Sequence, residues 1–77
     1  MDVKIAAAAC RESIKKSSAP DENHEFGKDH LNAMVDKIES GEVAGEKAHR
    51  WLGYLQGVLV ATGGTSLEEM KMVNLRA

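Results

Sequence analysis

Residues 46 to 57, EKAHRWLGYLQG, hold the chain's only Trp and only Tyr, together with a Lys, a His, an Arg and a Gln around two glycines four positions apart. On a helix such spacing aligns side chains on one face, and His49, Gly53, Gln56 and Val60 form a stripe with Gly57 adjoining. A glycine inside a helix costs roughly 1 kcal/mol relative to alanine, so two of them need a compensating use. Close approach is that use: with no side chain at Gly53 and Gly57, a second helix or a flat ligand can lie against the backbone. The two occupants are compatible if the contact is a subunit interface with a pocket in it. His49 and Gln56 offer directional hydrogen bonds there, Arg50 and Lys47 offer cations for phosphate, and Tyr54 or Trp51 offers a ring on which a base can stack. Trp51 sits at the edge of an apolar seam, where core packing is its simpler role.

Other chemistries are less well provided for. Catalysis needs a nucleophile beside a base, or carboxylates held at different pKa values, and neither pattern is present, so an enzyme is not expected. Cys10 lies on an apolar stripe and reads as a small core residue. Glu46 with His49, and Asp21 with His24, have the spacing used in di-metal bundles, but the core stripes lack the further inward carboxylates such a centre requires. No metal or cofactor is therefore expected. Gly63-Gly64-Thr65-Ser66 leads into a helix start, where free N–H groups favour phosphate; its plainer reading is a C-cap followed by an N-cap. The acidic run Asp21, Glu22, Glu25, Asp29 reads as a solvated helix face rather than a mimic of nucleic acid.

The elements that position these residues are helical. Aromatic and β-branched residues are few, alanine is abundant, and strand-like alternation is missing. Val3, Ala7, Cys10 and Ile14 mark a first helix. A second is expected over 20–39, with Leu31, Met34, Val35 and Ile38 buried and Ser40-Gly41 as its stop. A third, over 43–62, carries the seam Ala48, Leu52, Leu55, Leu59 and is expected to be the core helix, folding back antiparallel to the second. Gly63-Gly64 closes it. Ser66 with Glu69 forms a capping box for a short last helix docked through Leu67, Met70 and Val73, and residues 74–77 are expected to fray.

Composition bounds the rest. The 77 residues allow one domain, and a single core of this size supplies only about 3–5 kcal/mol, so self-association is an expected supplement. One cysteine excludes an internal disulfide. Residues 1–19 hold four basic and two acidic groups, 20–46 two and eight, and 47–77 four and two. With no overall basic field, general nucleic-acid binding is not expected. No apolar run approaches the roughly 20 residues of a membrane span, and the first residues do not read as a secretory leader, so a cytoplasmic protein is expected.

The run His49-Arg50-Trp51-Leu52-Gly53-Tyr54, then Gln56-Gly57, then Ser66-Leu67-Glu68-Glu69-Met70 up to Asn74, resembles small uncharacterised bacteriophage proteins that carry an H-R-W-L-G-(aromatic)-x-Q-G helix before a short capped C-terminal helix. The resemblance covers about residues 46–74. It implies a phage origin and an accessory role against host machinery or host defence. Joined to the chemistry of the glycine face, it leads to the expectation of an all-α homo-oligomer that sequesters a small host signalling nucleotide at subunit interfaces without catalysis. The site would comprise Lys47, His49, Arg50, Tyr54, Gln56, Thr65 and Ser66 around Gly53 and Gly57. The competing expectation is an inhibitor that binds a host protein through a helix face.

Overall fold

A computed structural model describes residues 1–21 and 27–77. It contains four helices: α1 (Val3–Lys16), α2 (Lys28–Glu39), α3 (Gly45–Ala61) and α4 (Leu67–Arg76), with no strand among the described residues. Asp2 caps α1, its carboxylate accepting from the backbone N–H groups of Lys4 and Ile5. Ser66 caps α4 by accepting from the N–H of Glu69 at 3.1 Å, with Glu68 and Glu69 in the first turn at the positive end of the dipole. The capping box expected from S-x-x-E is thus present on its serine side.

The core is aliphatic. Ala6, Ala7, Cys10 and Ile14 of α1 meet Leu31, Val35 and Ile38 of α2 and Ala48, Leu52, Leu55 and Leu59 of α3, all of them buried. The expectation that α3 is the central helix is only half met. It supplies much of the buried aliphatic volume, but α1 packs more extensively on its neighbours, and α2 and α3 meet each other less than either meets α1. Alanines at 6 and 7 explain this: small side chains let neighbours approach α1 closely. Arg11 reinforces the α1–α2 contact by donating to Asp36 at 2.7 Å and to Glu39, and these bonds raise its already high pKa further.

Three sequence expectations need correction. The second helix begins at Lys28, not Pro20. Gly27 is its N-cap, and the first N–H groups of α2 donate to loop carbonyls, Lys28 to Pro20 at 2.7 Å and Asp29 to Asp21 at 3.1 Å. Loop carbonyls thus stand in for a side-chain cap, which Gly27 cannot supply. Glu22, His24 and Glu25, named above as part of an acidic run and of a metal pair, lie outside the described residues. Residues 74–77 are not frayed: α4 continues to Arg76, and the Ala77 carbonyl accepts from the Asp2 N–H at 2.8 Å, tying the two ends of the chain together. Leu67 does not dock. It is 60% exposed, while Met70 is buried and Val73 is half-buried. Leu67 stands one turn before Met70, on the side of α4 that opens into a groove rather than onto the core.

At the C-terminal end of α3 the chain makes a tight close. Gly63 is left-handed (φ +76°), and Gly64 N–H donates to the Leu59 carbonyl at 2.9 Å, the six-to-one bond of a Schellman motif. Thr62 then latches α3 to α1. Its carbonyl accepts from the Ser18 N–H at 2.8 Å and the Ser18 hydroxyl at 3.0 Å, and its own hydroxyl, donating to Val58 O, is left to accept from Ser17 Oγ.

Candidate ligand groove between α3 and α4

The periodicity of α3 divides its surface into four strips. Ala48, Leu52, Leu55 and Leu59 are buried. On the opposite side Glu46, Arg50, Gly53, Gly57 and Ala61 form an exposed ridge. Trp51, Tyr54 and Val58 make up one half-buried flank and Gln56 and Val60 the other.

The second flank faces α4 and opens into a groove of about 390 Å³. Gly53, Gln56, Gly57 and Val60 line it from α3; Leu67, Met70, Lys71 and Asn74 line it from α4. A reciprocal amide pair bridges the two helices: Gln56 Nε2 donates to Asn74 Oδ1 at 2.7 Å, and Asn74 Nδ2 donates to Gln56 Oε1 at 3.2 Å. Each carboxamide carries two N–H donors and an oxygen with two lone pairs, so the pair keeps one donor and one acceptor site on each partner for a ligand.

Gly53 and Gly57 are open. A methyl group built at either position meets nothing within 4 Å. The close packing that would compensate a glycine is therefore not made among the described residues, and the backbone lies bare along the groove edge. Lys71 lines the groove from α4, and Arg50 stands outside the lining, on the exposed ridge three residues before Gly53; neither forms an ion pair among the described residues.

The nine residues proposed from sequence separate into three groups. Gln56, Gly53 and Gly57 share the groove, with Arg50 and exposed His49 one turn further along α3. Lys47 is on the other flank, where its ammonium lies 5.5 Å from the centre of the Trp51 ring; Lys37 of α2 lies 6.0 Å from the same ring. Trp51 and Tyr54 pack against the core from that side, so neither ring stacks over the groove of its own subunit. Thr65 and Ser66 serve α4: Ser66 as N-cap, Thr65 by donating to Glu69 Oε2 at 3.2 Å. With the cap made and two glutamates in the first turn, this helix start repels an anion rather than inviting one.

Lys37, Lys71 and Asn74 were not found from sequence. Lys37 and Lys71 belong to polar faces that carry no local signal, and Asn74 was placed in a frayed end. No group of three His, Cys, Asp or Glu side chains suited to a metal ion occurs among the described residues. Glu46 and His49 are both exposed.

Cys10 is fully buried, its thiol donating to the Ala6 carbonyl at 3.5 Å, and burial pushes its pKa up to about 11. It is a protonated core residue at neutral pH, not a nucleophile. Native protein at pH 8 should resist alkylation that the unfolded chain undergoes readily, which mass spectrometry after a timed iodoacetamide pulse reads directly. Because the folded pKa exceeds the ordinary value of 9.0, this thiol leaves stability intact below pH 9 and withdraws about 2–3 kcal/mol as pH rises to 11.

No helix of the described residues is long and apolar enough to cross a membrane. Neither a family model, a curated protein nor a solved structure matches this chain.

Proposed function

We propose that this chain is a non-catalytic binding protein whose α3–α4 groove takes a small, flat, anionic ligand, a host signalling nucleotide, and holds it out of circulation. The observation that carries the reading is the unoccupied backbone at Gly53 and Gly57. Two helix-interior glycines cost about 2 kcal/mol together relative to alanine, and no contact among the described residues returns that cost. Local rules are broken in this way where a site needs them broken.

The surroundings suit the ligand class. The Gln56–Asn74 pair offers donor and acceptor sites for a base edge, while Lys71 in the lining and Arg50 on the neighbouring ridge supply positive charge for phosphates. The groove is open on its outer side, so a second copy of the chain would complete it and exclude water, with exposed His49 of that copy able to join. The resemblance of residues 46–74 to phage proteins gives such sequestration a purpose, namely an accessory role that blunts a nucleotide-signalled host defence.

Titration calorimetry with a panel of cyclic oligonucleotides and cyclic ADP-ribose derivatives tests this. Stoichiometric heat from at least one, weakened by Lys71→Ala and Asn74→Ala, is the expected result. Absence of heat from every member rejects it. A second reading, an inhibitor that seats a helix of a host protein in the same groove, is favoured by one observation: Leu67 stands 60% exposed on the groove wall. That reading requires a stoichiometric protein partner and no nucleotide heat.

A further inference from the structure

The exposed large apolar side chains of the described residues are Met1, Ile5, Leu67, Met72 and Leu75. Every one is at the start of α1 or on α4; α2 and α3 expose none. On α4 the groove uses the side that carries Leu67 and Lys71. The neighbouring outward side bears Glu68 and Glu69 at its first turn, Met72 (44% exposed) at its middle and Arg76 at its end, lining a shallow depression of its own.

This face is complementary to itself. If two copies of α4 lie antiparallel about Met72, Met72 meets its counterpart on the symmetry axis, and Glu68 of each helix falls opposite Arg76 of the other. Glu69 lies beside the same arginine, and Leu75 flanks the axis. Acids in the first turn and a base in the last also favour the isolated helix through its dipole. The dipole does not account for the exposed methionine and leucine placed between them. A parallel arrangement would set like charges against each other, so the charge pattern specifies antiparallel.

We propose that α4 is a homodimer contact: a second copy of this chain docks antiparallel on the Glu68, Met72, Arg76 face. The inference rests on the self-association invoked above but not on its ligand, because this face and the groove lie on different sides of α4. A ten-residue helix pair with the first turn of α1 at its edge buries less than the roughly 1,600 Å² of a standard interface. The pairing is accordingly a weak, reversible one, with a Kd on the order of micromolar to millimolar.

Sedimentation of the full chain with charge-swap variants decides the matter. Wild-type protein should show a concentration-dependent monomer–dimer equilibrium. Glu68→Arg and Arg76→Glu should each weaken it at least tenfold, since each sets like charges opposite one another at positions 68 and 76. Mixing the two variants in equal amounts should restore a heterodimer, because both 68–76 pairs across the axis are then opposite in sign. Met72→Lys, which sets two ammonium groups on the axis, should abolish pairing without rescue. Circular dichroism confirms that each variant is helical. A wild-type chain that stays monomeric, swaps that leave association unchanged, or folded variants that fail to rescue each other overturn the proposal. Loss of the groove reading would look different: no nucleotide heat, with α4 pairing intact, including in the Gly53→Ala/Gly57→Ala protein.

Discussion

Gly64→Ala should unfold a large fraction of this protein at room temperature. The added methyl carbon would lie 2.2 Å from the Ser13 carbonyl oxygen and 3.1 Å from both the Ser13 carbonyl carbon and Ser17 Cβ. The first distance is far inside any carbon–oxygen contact, and the obstacle is backbone that cannot rotate away. Relief requires α1 and the end of α3 to part by an ångström or more. That movement also stretches the Ser18–Thr62 hydrogen bonds, which hold the same junction. Overpacking of this kind costs about 1–3 kcal/mol or more, against the roughly 3–5 kcal/mol that a single core of this size supplies. Thermal denaturation followed by circular dichroism should show the loss. Gly63→Ala is the control. Its cost arises only from the left-handed φ of +76° and should stay near 1 kcal/mol.

The opposite outcome is expected at the two glycines inside α3. Gly53→Ala and Gly57→Ala meet open space and replace poor helix formers by the best one. Each should raise stability by up to about 1 kcal/mol, so the double variant should melt several degrees higher than wild type. The same two methyl groups cover the backbone at the groove edge and hold any occupant away from it. Nucleotide heat, and any copy-to-copy contact made over the strip, should fall at least tenfold. Gain of stability with loss of binding is what separates a functional glycine from a structural one such as Gly64, where stability is lost first.

These two glycine sets show how far the sequence could be read. Helix number, the aliphatic seam of α3, the buried face of α2 and the Ser66 cap follow from spacing and capping chemistry, which act over a few residues. The oddness of Gly53 and Gly57 is visible in the same way, because a helix-interior glycine violates a local preference. Gly64 reads as no more than part of a C-cap, since its true neighbour, Ser13, is fifty-one positions away in sequence and no local rule connects them. The start of α2 was misplaced for a similar reason: carbonyls of Pro20 and Asp21 cap it across a loop. Asn74 was lost to an expectation of fraying that the Asp2–Ala77 bond between the chain ends prevents. The rings of Trp51 and Tyr54 looked as if they shared a site with Gln56, yet the helical angle between them sets them on opposite flanks of α3. Their part in any nucleotide site has to be played toward a neighbouring copy.

Use of the bare backbone at Gly53 and Gly57 is the property on which the proposed function depends. Native mass spectrometry of wild-type and Gly53→Ala/Gly57→Ala protein, purified side by side from bacteria with active nucleotide-signalled defence, asks this most directly. The wild type should fly as a multiple of the 8.3 kDa chain carrying additional mass of a nucleotide released on activation. The double variant, folded and more heat-resistant, should fly without it. Indistinguishable spectra from the two proteins, laden or empty, would contradict the account.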